Sequence, residues 1–113
     1  MKNRSYLVHH RKRWALSQRE LARLLGHRSR STVSRLETRG GSPSLRLVIG
    51  CQILFGVRFA ELFPSLYEDH RDQIMRRAAR LDARLRNQKG TSADRKRELL
   101  ADLVRRMPNA PDA

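Results

Sequence analysis

Acidic residues are scarce in this chain: 11 Asp and Glu stand against 25 Lys and Arg, a formal charge of +14 over 113 residues. Such an excess disfavours a cationic or strongly basic partner and favours a polyanion. Cysteine is almost absent. A lone Cys51 excludes an intramolecular disulfide and supplies no thiol set for zinc. Aromatics are few, with three Phe, two Tyr and one Trp, and most fall at core-like positions. That leaves little for the stacking platforms on which single-stranded RNA is read. No apolar stretch approaches the ~18 residues of a bilayer span, and no apolar run follows the basic first residues. A cytoplasmic location is therefore expected. His9, His10, His27 and His70 lack ligand-spaced partners, and Glu20 and Glu61 have capping or solvated roles open to them. No catalytic cluster, cofactor or metal is expected, and no enzyme.

The positive charge is unevenly spread. Met1–Pro64 holds 13 basic and 3 acidic residues, leaving +10, whereas Ser65–Ala113 holds 12 and 8, leaving +4. A hydrophobic fraction of 39% suffices for one small core with a packed extension.

The stretch Leu16–Glu37 organises the basic half. Gln18–Leu25 is amphipathic, with Leu21, Ala22, Leu24 and Leu25 apolar. Ser17 and Glu20 form an S-x-x-E capping box at its start, and Gly26 provides its turn. Amide groups at that first turn suit a phosphate oxygen. A second short helix spans about Ser31–Glu37, capped by Ser29 or Ser31, with Val33 and Leu36 turned toward Leu21 and Leu25. Its other face bears Arg30, Ser31, Ser34 and Arg35. Two short helices about a glycine turn, the second small and basic on one side, make a helix-turn-helix pattern.

Elements around it can bury its apolar side. Residues 4–15 predict a first helix in which Leu7 and Trp14, two turns apart, share an inward face, with Arg11, Lys12 and Arg13 opposite. Thr38–Pro43 reads as a loop, in which Gly40 and Gly41 stop the helix and Pro43 starts the next. Ser44–Phe55 is apolar all round and reads as a buried central helix. Arg58–Phe63 is a short fifth helix stopped by Pro64. Residues 66–88 predict a charged helix whose stripe Leu66, His70, Ile74, Ala78, Leu81 and Leu85 resembles a coiled-coil seam. Thr91 and Asp94 suggest a capping box for a last helix over 93–106, leaving 107–113 as a disordered tail. The expected class is all-α: a five-helix domain over 4–64 and a helical extension over 65–106, possible as a hairpin for dimerisation or a partner.

The run L-S-Q-R-E-L-A-R-L-L-G, followed by T-V-S-R-L-E and P-S-L and closed by F-G-V-R-F-A-E-L-F, resembles the phage-repressor, Cro-like (Xre) helix-turn-helix family over about residues 7–64. The resemblance implies a compact repressor-like fold and double-stranded DNA as partner. By it, Gln18 would bind a phosphate. Arg30, Ser31 and Arg35, with Ser34 beside them, would read bases, and Arg11 would pair with Glu37. Arg19, Arg23, Arg28, Arg39 and Lys12 are further phosphate candidates. The turn after Gly26 is one residue longer than in the simplest members, and Arg58 stands where a capping serine is common.

These readings predict a sequence-specific transcriptional regulator, a repressor, acting as a homodimer on an inverted-repeat operator and nucleoid-associated when bound. Residues 66–106 are the expected source of extra dimer contacts. The alternative is an antitoxin-type protein whose C-terminal helices bind a protein partner while the front half binds DNA.

Overall fold

The computed structural model describes residues 6–107, and every element among them is helical. Helices α1 (Leu7–Arg13), α2 (Gln18–Leu24), α3 (Ser31–Thr38), α4 (Leu45–Phe55), α5 (Phe59–Leu62), α6 (Pro64–Leu85) and α7 (Thr91–Arg106) follow one another without a strand. None is long and apolar enough to cross a membrane. The chain divides into two compact units, Met1–Glu68 and Asp69–Ala113, with the boundary inside α6.

The first unit is built on local signals that hold the helix ends. Ser17 Oγ accepts from the Glu20 amide at 3.0 Å, and Glu20 Oε1 accepts from the Ser17 amide at 2.9 Å. Both orphan donors at the start of α2 are thereby satisfied. At its far end Gly26, at φ 85°, donates to Arg23 O while His27 donates to Ala22 O at 2.8 Å. This paired closure needs the left-handed conformation that glycine adopts most easily. Ser44 caps α4 through the Leu47 amide at 3.2 Å.

The same closure ends α1 without a glycine. Ala15 adopts φ 57°, donating to Lys12 O, and Leu16 donates to Arg11 O. The reversal stops the helix at Arg13, short of Trp14. Trp14 therefore leaves the face it was expected to share with Leu7 and is 61% exposed, with the Arg13 guanidinium 5.5 Å from its ring centroid. Arg11, one turn beyond Leu7, is instead buried on the inward face that Trp14 leaves, not opposite it.

Leu7, Leu21, Ala22, Val33, Leu36, Leu47, Cys51, Leu62 and Phe63 form one buried cluster, with Leu25, Phe55, Val57, Phe59 and Leu66 packed against it. Gly50 lets Leu25 come close to α4, since a Cβ there would lie 2.6 Å from Leu25 Cδ2. Tyr6 N donates to Leu62 O at 2.8 Å, tying the start of the unit to α5. Burial pushes the Cys51 thiol up to about 11, so it stays protonated at neutral pH.

The expectation of a wholly buried α4 fails. Leu47, Val48 and Cys51 face the core, but Leu45, Ile49, Ile53 and Leu54 are exposed. Four short helices enclose only one side of a fifth. Arg58 is the N-cap of α5 with no side-chain cap, and α5 stops before Pro64 as expected, but Pro64 itself opens α6, two residues before the expected start. Proline suits a first helical position, where no amide bond is lost.

In the second unit α6 and α7 are joined by a short turn. The Thr91–Asp94 capping box does not form. Gly90 is the N-cap, Thr91 is the first helical residue, and Asp94 pairs with Arg97 at 3.2 Å. Arg97 Nη2 also donates to the Leu85 and Gln88 carbonyls, closing the C-terminus of α6. Leu85 and Ala93 are the buried apolar residues described here. Along the expected seam, Leu66 packs on the first unit's core, whereas His70 is exposed and Ile74 is 46% exposed. Residues 108–113, most of the expected tail, and Arg4 and Ser5 of the expected first helix lie outside the described residues.

Candidate functional site

Helix α3 has two sides of opposite character. Val33 and Leu36 are buried, while Ser31, Arg35 and Thr38 are exposed and Ser34 is half-buried. Together with Arg30 and Arg39 at its two caps, these four residues line an open depression of about 520 Å³. The polar face is laid bare because the apolar face is fixed in the core by α2.

Three arginines border this depression and no acid does. Arg35 Nε donates to Ser31 O one turn back at 3.3 Å, which lays the guanidinium along the helix. On a continuous helix, side chains five residues apart, as Arg30 and Arg35 are, point in different directions. Both nonetheless reach the same depression, since Arg30 precedes the helix as its N-cap. Arg30 makes no side-chain cap of its own; Ser29 Oγ accepts from the Ser31 amide at 3.4 Å and donates to Ser31 Oγ at 3.1 Å.

Behind this surface runs a connected set of polar side chains. Arg11 Nε donates to Glu37 Oε2 at 2.6 Å and Arg11 Nη2 to Glu37 Oε1 at 2.9 Å. Its third group, Nη1, donates to Leu16 O at 2.8 Å. The pair joins α1 to α3 across 26 residues, with side chains only 10% and 4% exposed. The hydrogen bond to Glu37 raises the Arg11 pKa further above its ordinary value, against a smaller opposing effect of burial. Bidentate geometry and the added backbone acceptor satisfy the ions that burial strips of water.

Gln18 continues the set. Its Nε2 donates to Glu37 Oε1 and its Oε1 accepts from Arg30 Nη1, each at 2.9 Å. The side chain assigned to phosphate by resemblance thus also holds the first arginine of the depression. Lys12, Arg19, Arg23, Arg28 and Arg39 are all exposed, with Arg39 grouped with Arg30 and Arg35 rather than apart from them.

Thr38, expected in the loop, is instead the last residue of α3 and the lining residue that sequence reasoning missed. It lies four residues after Ser34 and seven after Ser31, so helical periodicity carried the signal. Its hydroxyl donates to Ser34 O at 2.8 Å, which leaves the oxygen lone pairs as acceptors. Among the described residues, no group of His, Cys, Asp and Glu could hold a metal ion. The arrangement offers fixed cations and small hydroxyls on a projecting helix, which suits recognition of an anionic polymer.

A helix-turn-helix family model matches residues 11–62, a span that includes the Arg11–Glu37 pair and the whole depression. No curated protein and no solved structure matches the chain.

Proposed function

Through residues 11–62 this chain belongs to the Cro/C1-type, Xre-like helix-turn-helix family of DNA-binding regulators, and on that premise we propose that it is a sequence-specific repressor. It acts as a homodimer and inserts α3 into the major groove of an inverted-repeat operator. The observation that carries this reading is the open depression of Arg30, Ser31, Ser34, Arg35, Thr38 and Arg39 on the projecting side of α3.

Arg30 and Arg35 each present a planar fork matched to the O6/N7 edge of guanine, worth about 1–3 kcal/mol of discrimination per pair. Ser31 and Ser34 are small enough for close approach and add weak hydroxyl contacts. Lys12, Arg19, Arg23, Arg28 and Arg39 take backbone phosphates, which set position rather than sequence. Gln18 serves twice: Nε2 carries a second hydrogen suited to a phosphate oxygen, while Oε1 orients Arg30. One such helix reads few base pairs, so two copies on half-sites about 34–36 Å apart, or a multiple, supply useful specificity. Each unit serves as a domain in this scheme, the first for DNA.

A second reading draws on the second unit, where Leu99 is 60% and Val104 61% exposed. In an antitoxin-type protein this apolar surface of α7 would hold a protein partner. Copurification of a stoichiometric second protein would favour it.

The test is selection of bound DNA from a random pool, followed by binding measurements on the selected site and on random duplex. Arg35→Ala lowers affinity for the selected site about 5–100-fold and for random DNA far less, in line with one lost base contact. Equal losses on both would remove Arg35 from base reading. Affinity of the native protein falls about 10³–10⁵-fold between 50 and 200 mM salt if roughly 6–10 phosphates are touched. A salt-insensitive complex would overturn the DNA reading.

A further inference from the structure

Helix α4 leaves one row of side chains uncovered. Leu45, Ile49 and Ile53 follow one another at steps of four and are 74%, 47% and 76% exposed. They alternate with Leu47, Val48 and Cys51, which are buried, so the row is the outward side of a helix already anchored. We propose that this row is the homodimer seam of the protein and that its occupant is the same row of a second copy. The inference rests on the homodimer reading given above and names the surface that makes it.

Area gives the first reason. The open fractions of these three residues expose apolar surface on the order of 300–400 Å², within the ~300–600 Å² of the largest patch on a typical monomer. A stable interface takes about 800 Å² from each partner, so the row supplies the apolar centre and its neighbours the rim.

Charge gives the second. The chain carries +14, so two copies repel over most of their surface. Among the eleven residues of α4 there is a single charged one, Arg46, at the margin of the row. Like-charged copies meet at least electrostatic cost where the surface is neutral. The exposed apolar residues of the other unit lie instead on helices rich in arginine, among them Arg76, Arg77, Arg80 and Arg84 on α6.

Symmetry gives the third. Ile49 is the midpoint of the row. A two-fold axis through it sets Leu45 against the partner's Ile53 and Ile53 against the partner's Leu45, so the surface complements itself. A row at steps of four is also a ridge that fits the groove of an identical helix at a crossing near −50°.

The experiment is sedimentation equilibrium of the full chain without DNA, with helicity followed by circular dichroism. The native protein sediments as a dimer. Ile49→Glu and Ile53→Glu, at exposed positions, keep native helicity and weaken the dimer at least about 30-fold, the scale of a central interface residue. Glutamate lowers the net positive charge, so dissociation cannot come from greater overall repulsion. Ile49→Leu remains dimeric. If both glutamate variants stay dimeric while Leu99→Glu or Ile74→Glu dissociates, the seam lies in the second unit and the proposal is overturned, with the homodimer reading intact. A native monomer at all concentrations overturns both. A native monomer destabilised by Ile53→Glu would mean that the chain covers its own row.

Discussion

Leu21, Val33 and Leu47 are wholly enclosed in the first unit, whereas Leu99 and Val104 of the second remain about 60% exposed on a helix of similar amphipathic pattern. Ionic contacts differ in the same way. Arg11 and Glu37 meet in a buried, bidentate pair between helices distant in sequence. Asp94–Arg97 and Asp102–Arg105 pair along the surface of a single helix. Five short helices can converge from several directions and close a core around a polar link. Two helices touch along one strip, so an apolar residue one position off that strip stays in water. Amphipathic sequence alone therefore does not determine burial; the number of neighbouring elements does.

The sharpest way to break this contrast is through the ion pairs. Glu37→Ala leaves Arg11 and Gln18 without their shared acceptor in a nearly closed site, and should lower stability by about 3–5 kcal/mol. Asp94→Ala, at an exposed pair, should cost about 0–1 kcal/mol in the same urea titration. Comparable losses would show that the first pair is not energetically buried. Next come the cores. Leu21→Ala should cost about 2–5 kcal/mol by cavity formation, whereas Leu99→Ala should stay within about 0.5 kcal/mol, as exposed changes do. A large effect at Leu99 in dilute monomeric protein would mean that the second unit buries it after all. The smallest effect concerns helix ends. Gly26 and Ala15 make the same left-handed closure, but Ala15 carries a Cβ through it. Ala15→Gly should raise stability by about 0.5–1 kcal/mol, seen as a higher Tm, because relief of that contact exceeds the added chain entropy.

Much of the first unit was legible because its signals are local. The Ser17–Glu20 box, the Gly26 closure and the Ser44 start of α4 each act within three or four residues, and the inward side of α3 follows from Val33 and Leu36 alone. Thr38 was legible too, had the helical period been carried one turn further. Trp14 was not. Its spacing from Leu7 holds only if the helix continues, and the reversal at Ala15, a residue without the usual glycine signal, ends it. Pro64 was legible only in part, as the stop after α5 and not as the start of α6, since proline stops one helix and starts another with equal ease.

The sequence by itself determined an all-α chain, the helix-turn-helix over residues 11–62, and the charged character of the face that α3 presents. These are properties of period, capping chemistry and composition, and they need no distant partner. Tertiary structure alone decided which side of the apolar α4 is covered and which stays open. It also decided that Gln18 is shared between Glu37 and Arg30. Each depends on residues far apart in the chain meeting at hydrogen-bond or van der Waals distance.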